Sequence, residues 1–121
     1  MKLKSVRIDR RFVPEFRGNR DLPANEQIVI HFNRIPGTSE VNNFKSFKFE
    51  QSGAIQLHYN DNLLVSTFVH RIENLEIGED RIKTGTDLAT ASCPALSGLF
   101  SEIRAYLFPD GEEFTEGESQ A

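Results

Sequence analysis

Apolar residues recur along this chain with two different periods, and the change between them divides it. In EQIVIHFNR, Glu26 to Arg34, Ile28, Ile30 and Phe32 alternate with Val29, His31 and Asn33, the period of two expected of a half-buried strand. Phe47 and Phe49 share one face of a second alternating run, Phe44 to Glu50, and Ile55, Leu57 and Tyr59 share a face of Ala54 to Tyr59. With Gln51-Ser52-Gly53 between them, these two runs read as a half-buried hairpin turned by Gly53. Val6 and Ile8 pattern as a short edge strand.

From Asn60 the period lengthens. Leu64, Val65, Phe68, Val69 and Ile72 fall on one side of NDNLLVSTFVHRIENL, which predicts an amphipathic helix capped by Asn60 or Asp61. Leu75, Ile77 and Ile82 flank Gly78-Glu79-Asp80-Arg81 as a short β-turn-β arm, and Thr86 is placed to cap a helical turn around Leu88. Leu96, Leu99, Phe100, Ile103 and Leu107 then mark a last helix, opened by Pro94 and stopped by Pro109. Gly98 lies inside that helix at a propensity cost of about 1 kcal/mol relative to Ala, so close approach of another backbone is expected there. Thr38 or Ser39 can cap a short helix after Ile35-Pro36-Gly37.

Strands before residue 60 and helices after it predict an α+β fold, a β-rich half packed with two amphipathic C-terminal helices. The 121 residues allow one domain, 1–108, with 109–121 as an acidic tail lacking periodicity and expected to be disordered in isolation. Pro14 and Pro23 bracket FVPEFRGNRDLPANEQ, Phe12 to Gln27, and keep it from being a central strand or a helix interior. Dense in turn-formers and charge, it predicts an ordered connection turning at Gly18-Asn19.

Composition narrows the chemistry. Ten Phe and no Trp put the core on Phe, Leu and Ile, and Tyr59 and Tyr106 are expected at its edges. The single Cys93 excludes an internal disulfide and reads as a small buried residue. No apolar run suits a membrane span or a signal peptide, so a cytosolic protein without membrane contact is expected. The net charge of −4 conceals a polarity. Lys2, Lys4, Arg7, Arg10, Arg11, Arg17 and Arg20 crowd the first twenty residues, whereas Asp110, Glu112, Glu113, Glu116 and Glu118 occupy the end with no base among them. These two ends are expected to attract each other, within one molecule or between copies.

The histidines His31, His58 and His70 fall on polar faces with no paired metal-ligand spacing, and Glu73, Glu76, Glu79 and Asp80 lack the ladder of a calcium loop. No nucleophile motif surrounds Cys93 and no phosphate loop includes Gly78 or Gly85, so neither catalysis, cofactor nor metal is expected. Lys45 and Lys48 interleave with Phe44, Phe47 and Phe49 as a nucleic-acid stacking platform would, but a half-buried hairpin has the same pattern and the chain is acidic overall. That leaves protein binding as the expected activity. Its candidate residues are Leu64, Phe68 and Ile72 on one helix face and Leu96, Leu99, Phe100, Ile103 and Leu107 on the other, with Arg17 and Arg20 as a charged rim.

FVPEF followed by GNR, LP and EQIVI resembles the N-terminal part of small tail assembly chaperones of long-tailed bacteriophages. HRIENLEIG, TGTDL and a helix ending in SEIRAYL are similar to the C-terminal half of that family. The matching positions are Val13, Pro14, Phe16, Gly18, Asn19, Arg20, Leu22, Pro23 and Glu26, then Ile72, Glu73, Asn74, Leu75, Gly85 and Leu88; the hairpin departs from a middle expected to be more helical. The resemblance implies a non-enzymatic protein of the host cytoplasm that binds the tape measure protein and recruits tail tube subunits. A structural virion protein such as a tail terminator or connector is the alternative, and a nucleic-acid-binding regulator using Arg7, Arg10, Arg11, Lys45 and Lys48 is the third.

Overall fold

Two β-branched side chains decide the centre of this molecule, because Val69 and Ile72 leave the predicted helix and extend as a strand. In the computed structural model, which describes residues 9–91 and 93–109, helix α1 (Asp61–Phe68) stops at Phe68 and Val69–Glu73 becomes β5. Asn33 ends the helix: its N–H donates to the Phe68 carbonyl at 2.9 Å and its Nδ2 to that of Thr67 at 2.8 Å. The chain beyond pairs antiparallel with β2 (Val29–Phe32), setting Ile30 opposite Ile72 and His31 opposite Arg71. Branched side chains lose rotamer freedom in a helix and pack well on a pleated sheet, so tertiary pairing overrides the helical spacing here. Ile72 therefore belongs to a strand, and a helical second half is corrected to one that also holds strands.

Strand β1 (Arg11–Phe12) completes this sheet on the other side of β2, giving the antiparallel order β1-β2-β5. Among the described residues the hairpin strands β3 (Lys45–Phe49) and β4 (Ile55–Tyr59) pair only with each other, as do β6 (Leu75–Ile77) and β7 (Asp80–Ile82). Helices α2 (Gly85–Thr90) and α3 (Ser97–Leu107) follow, and 3₁₀ turns occupy Phe16–Asp21, Thr38–Phe44 and Pro94–Leu96. The molecule is α+β. The expected strand at Val6 and Ile8 and most of the acidic tail lie outside the described residues.

One apolar core joins these elements, drawing on Phe12, Ile30, Phe32, Leu64, Val65, Phe68, Leu88, Leu99, Ile103 and Leu107 among others. Tyr106 is part of this packing, its ring 4.2 Å from Phe12 and 5.7 Å from Phe32. Helix α2 is capped by Thr84 instead of Thr86: Thr84 Oγ1 accepts from Asp87 N–H, and the Asp87 carboxylate accepts from Thr84 N–H. It lies so close to α1 that a Cβ on Gly85 would stand 2.3 Å from the Val65 carbonyl oxygen and 2.4 Å from that of Val69. Only glycine admits this approach.

The proline-bracketed connection is ordered by one buried amide. Asn19, 2% exposed, donates from Nδ2 to the carbonyls of Pro14 and Ile28 at 2.9 and 3.1 Å and accepts from Ile28 N–H at 2.6 Å. Arg17 and Gly18 reach it through positive φ of 49° and 75°. The arm lies against α3: Glu15 N–H donates to Glu102 Oε1 at 2.7 Å, and the Phe16 ring sits 3.4 Å from where a Gly98 Cβ would be. Gly98 therefore makes room for an aromatic ring, where another backbone was expected.

Candidate protein-binding surface

The helix faces assigned to a partner are consumed by the domain itself. Leu64, Phe68, Ile72, Leu96, Leu99, Phe100, Ile103 and Leu107 are all buried in the core, so none can meet a client unless the fold opens. Packing decides this, because α1, α2 and α3 cover one another and the sheet. Arg17 and Arg20 do stay exposed, yet they brace the entry arm. Arg17 Nη2 donates to the Ala95 carbonyl at 3.2 Å; Arg20 Nε donates to the Val13 carbonyl at 2.9 Å and its Nη1 lies 2.6 Å from Glu15 Oε1. Arg17 also borders a cleft of about 370 Å³ with Phe16, Leu22, Glu26, Ile77, Cys93 and Leu96. Cys93 is only partly buried there.

Among the described residues, four of the six large apolar side chains left exposed lie instead on the hairpin. Its register puts Phe47 opposite Leu57 and Phe49 opposite Ile55. Residues paired across antiparallel strands project to the same side, so these four form one continuous face. They are 62%, 46%, 78% and 61% exposed respectively. The expectation of a half-buried hairpin is corrected: no element among the described residues covers that face. Lys48 and Gln56 form a cross-strand pair in the intervening register, as do Ser46 and His58. From those exposures the four side chains present roughly 500 Å² of largely apolar surface, at the upper end of the largest patch on a typical monomer.

The base of the hairpin is anchored while its tip projects. Phe44, immediately before β3, is buried with its ring 5.4 Å from Phe68 and 6.3 Å from Phe108. Asn60 N–H, just after β4, donates to the Phe44 carbonyl at 2.7 Å, closing the strands. Asn60 also begins α1, its Oδ1 accepting from Leu63 N–H at 3.1 Å. Arg104 of α3 lies over the Tyr59 ring at 4.4 Å and holds both oxygens of Asp61 at 2.7 and 2.8 Å. Upstream, Glu40 accepts from both terminal nitrogens of Arg34 at 2.7 and 2.8 Å and from Gly37 N–H at 2.6 Å. Arg34 first and the Gly37 amide next pull the Glu40 carboxyl down to about 2. Glu40, in the first turn, thus satisfies the backbone N–H at the start of that 3₁₀ turn. At the tip Gly53, with φ of 89°, donates to the Glu50 carbonyl at 2.9 Å, and Glu50 N–H donates to that of Ala54 at 2.8 Å.

The polar candidates engage local partners and do not gather at one site. His31 Nε2 lies 2.5 Å from Glu73 Oε2, and that contact, ahead of the nearby charges of Arg71 and Arg11, lowers the Glu73 pKa. His58 lies 3.2 Å from Gln56 Oε1 on the same strand, and Glu76 pairs with Arg81 at 3.3 Å. Among the described residues no three His, Cys, Asp or Glu side chains gather as a metal site would require, and no helix is long and apolar enough to cross a membrane. Hydrophobic spacing located the hairpin face; no signal in the spacing marked it as the one left open. Comparison with protein-family models, with curated proteins and with solved structures finds no match to this chain.

Proposed function

We propose that this domain is a non-enzymatic assembly chaperone of the kind its sequence resembles. On this proposal it shields an apolar segment of a tape measure protein on the Phe47, Phe49, Ile55 and Leu57 face while tail tube subunits are recruited in the host cytoplasm. The observation that carries the proposal is that face, the large apolar surface that the core leaves exposed. Covering roughly 500 Å² at about 25 cal/mol per Å² contributes on the order of 10 kcal/mol before association costs of about 4–15 kcal/mol. The resulting complex is reversible, as a chaperone displaced by polymerisation requires.

Co-expression with a tape measure fragment tests this. The wild-type chain is expected to keep the fragment soluble, and a Phe47→Asp, Leu57→Asp variant to lose that protection while remaining folded. Equal precipitation with wild type, with the variant and with neither would sink the proposal. A structural role in the tail, as a terminator or connector, is favoured by a different observation: among the described residues β3 and β4 each have one neighbour, so both outer edges can accept a strand from an adjacent subunit. Finding the chain in purified particles at a fixed stoichiometry would select that role over the chaperone.

A further inference from the structure

The outer face of the β1-β2-β5 sheet carries a cationic row that the proposed hairpin function does not use. Register sets Arg11 of β1 opposite His31 of β2, and His31 opposite Arg71 of β5. Neighbouring strands lie about 4.8 Å apart, so the two arginines flank the histidine within roughly 10 Å. Arg10 and His70 border the same open depression of about 640 Å³, whose acidic neighbours are Asp9 in the lining and Glu73 on His31. Arg71 Nη2 lies 3.2 Å from His31 Nε2 and 3.9 Å from Glu73 Oε2, so Glu73 offsets part of the charge at the β5 side of the row and Arg10 and Arg11 carry the rest.

The acidic residues start from the same end of the molecule. Tyr106 Oη donates to the Asp9 carbonyl at 2.8 Å, so α3 ends beside the entry to β1. The described chain runs only three residues further, to Pro109, before Asp110, Glu112, Glu113, Glu116 and Glu118. Twelve residues span up to about 40 Å, several times the width of the sheet, which suffices to pass the β1 edge. We propose that segment 110–121 docks in cis across this basic face, with its carboxylates against Arg10, Arg11 and Arg71. Each exposed ion pair multiplies binding only about fivefold at most. Tethering at millimolar effective concentration therefore supplies the occupancy, and salt readily abolishes it.

Backbone amide NMR on the full chain tests the docking, comparing wild type with the E112Q, E113Q and E116Q triple variant. The Arg11, His31, His70 and Arg71 amides are expected to shift in the variant. In wild type, 1 M salt should reproduce those shifts, since the screening length falls from about 10 Å at 0.1 M to about 3 Å. The variant is also expected to elute from heparin at higher salt than wild type. No change at those four amides overturns the proposal, as does movement of Phe47 and Leu57 in their place, which would put the segment on the hairpin. Shifts that scale with protein concentration overturn it in favour of docking between copies.

Discussion

Helix α3 and the β3–β4 hairpin carry apolar faces of comparable length, and they end in opposite environments. Leu99, Phe100, Ile103 and Leu107 are buried, whereas Phe47, Phe49, Ile55 and Leu57 face solvent. Helix α3 is pressed against α1 and the entry arm, while the hairpin touches the core mainly through Phe44 and Tyr59 at its base. An amphipathic pattern thus specifies that a face will be covered, and leaves open whether the domain or a partner covers it. The same chemistry stabilises the fold in one place and is available for binding in the other.

Substitutions that remove apolar side chains from the two regions should separate these roles. Leu99→Ala is expected to cost about 2–5 kcal/mol of unfolding free energy, since it empties a fully buried site; urea denaturation measures this, and a loss below 1 kcal/mol would contradict the packing described. Asn19→Ala removes three hydrogen bonds that hold the arm to Ile28 and Pro14, with an expected loss of about 2–3 kcal/mol. Faster amide exchange at Ile28 and Asn19 than in the distant hairpin would locate that effect. Phe47→Ser is expected to change stability by less than about 0.5 kcal/mol while weakening capture of a client fragment, the reverse of Leu99→Ala. A large drop in melting temperature would mean that the hairpin face is covered in the folded protein.

Acid should sharpen the comparison at the hairpin's approach with the smallest effect. The Glu40 pKa is lowered to about 2, so the stability from its pairing with Arg34 is present above the unfolded carboxylate value, near pH 4.3, and is lost as pH falls through about 2. The Glu40 side-chain carboxyl resonance should accordingly titrate near pH 2; a midpoint near the unfolded value of about 4.3 would show that the clip is absent in solution.

Much of the local structure was legible beforehand. The hairpin, its turn at Gly53, the β6–β7 arm and the stop of α3 before Pro109 follow from alternation, glycine and proline, all of which act over a few neighbouring residues. The extent of α1 was not legible, because Val69 and Ile72 fit a helical stripe and a strand equally well until β2 supplies hydrogen-bonding partners. Nor was the role of Asn19 visible: a polar residue in a turn becomes a buried hub only when Pro14 and Ile28 converge on it. The misplaced binding faces share that origin, since helical stripes and hairpin faces look alike in sequence.

By itself the sequence determined an α+β fold, a core built on Phe, Leu and Ile, and termini of opposite charge. Short-range sterics and side-chain polarity suffice for such properties. Tertiary structure alone decided which apolar faces close on one another, that Gly85 must be bare for α2 to meet α1, and that Arg11, His31 and Arg71 form one row. These depend on residues distant in the chain competing for the same contacts, and only the folded arrangement settles which of them meet.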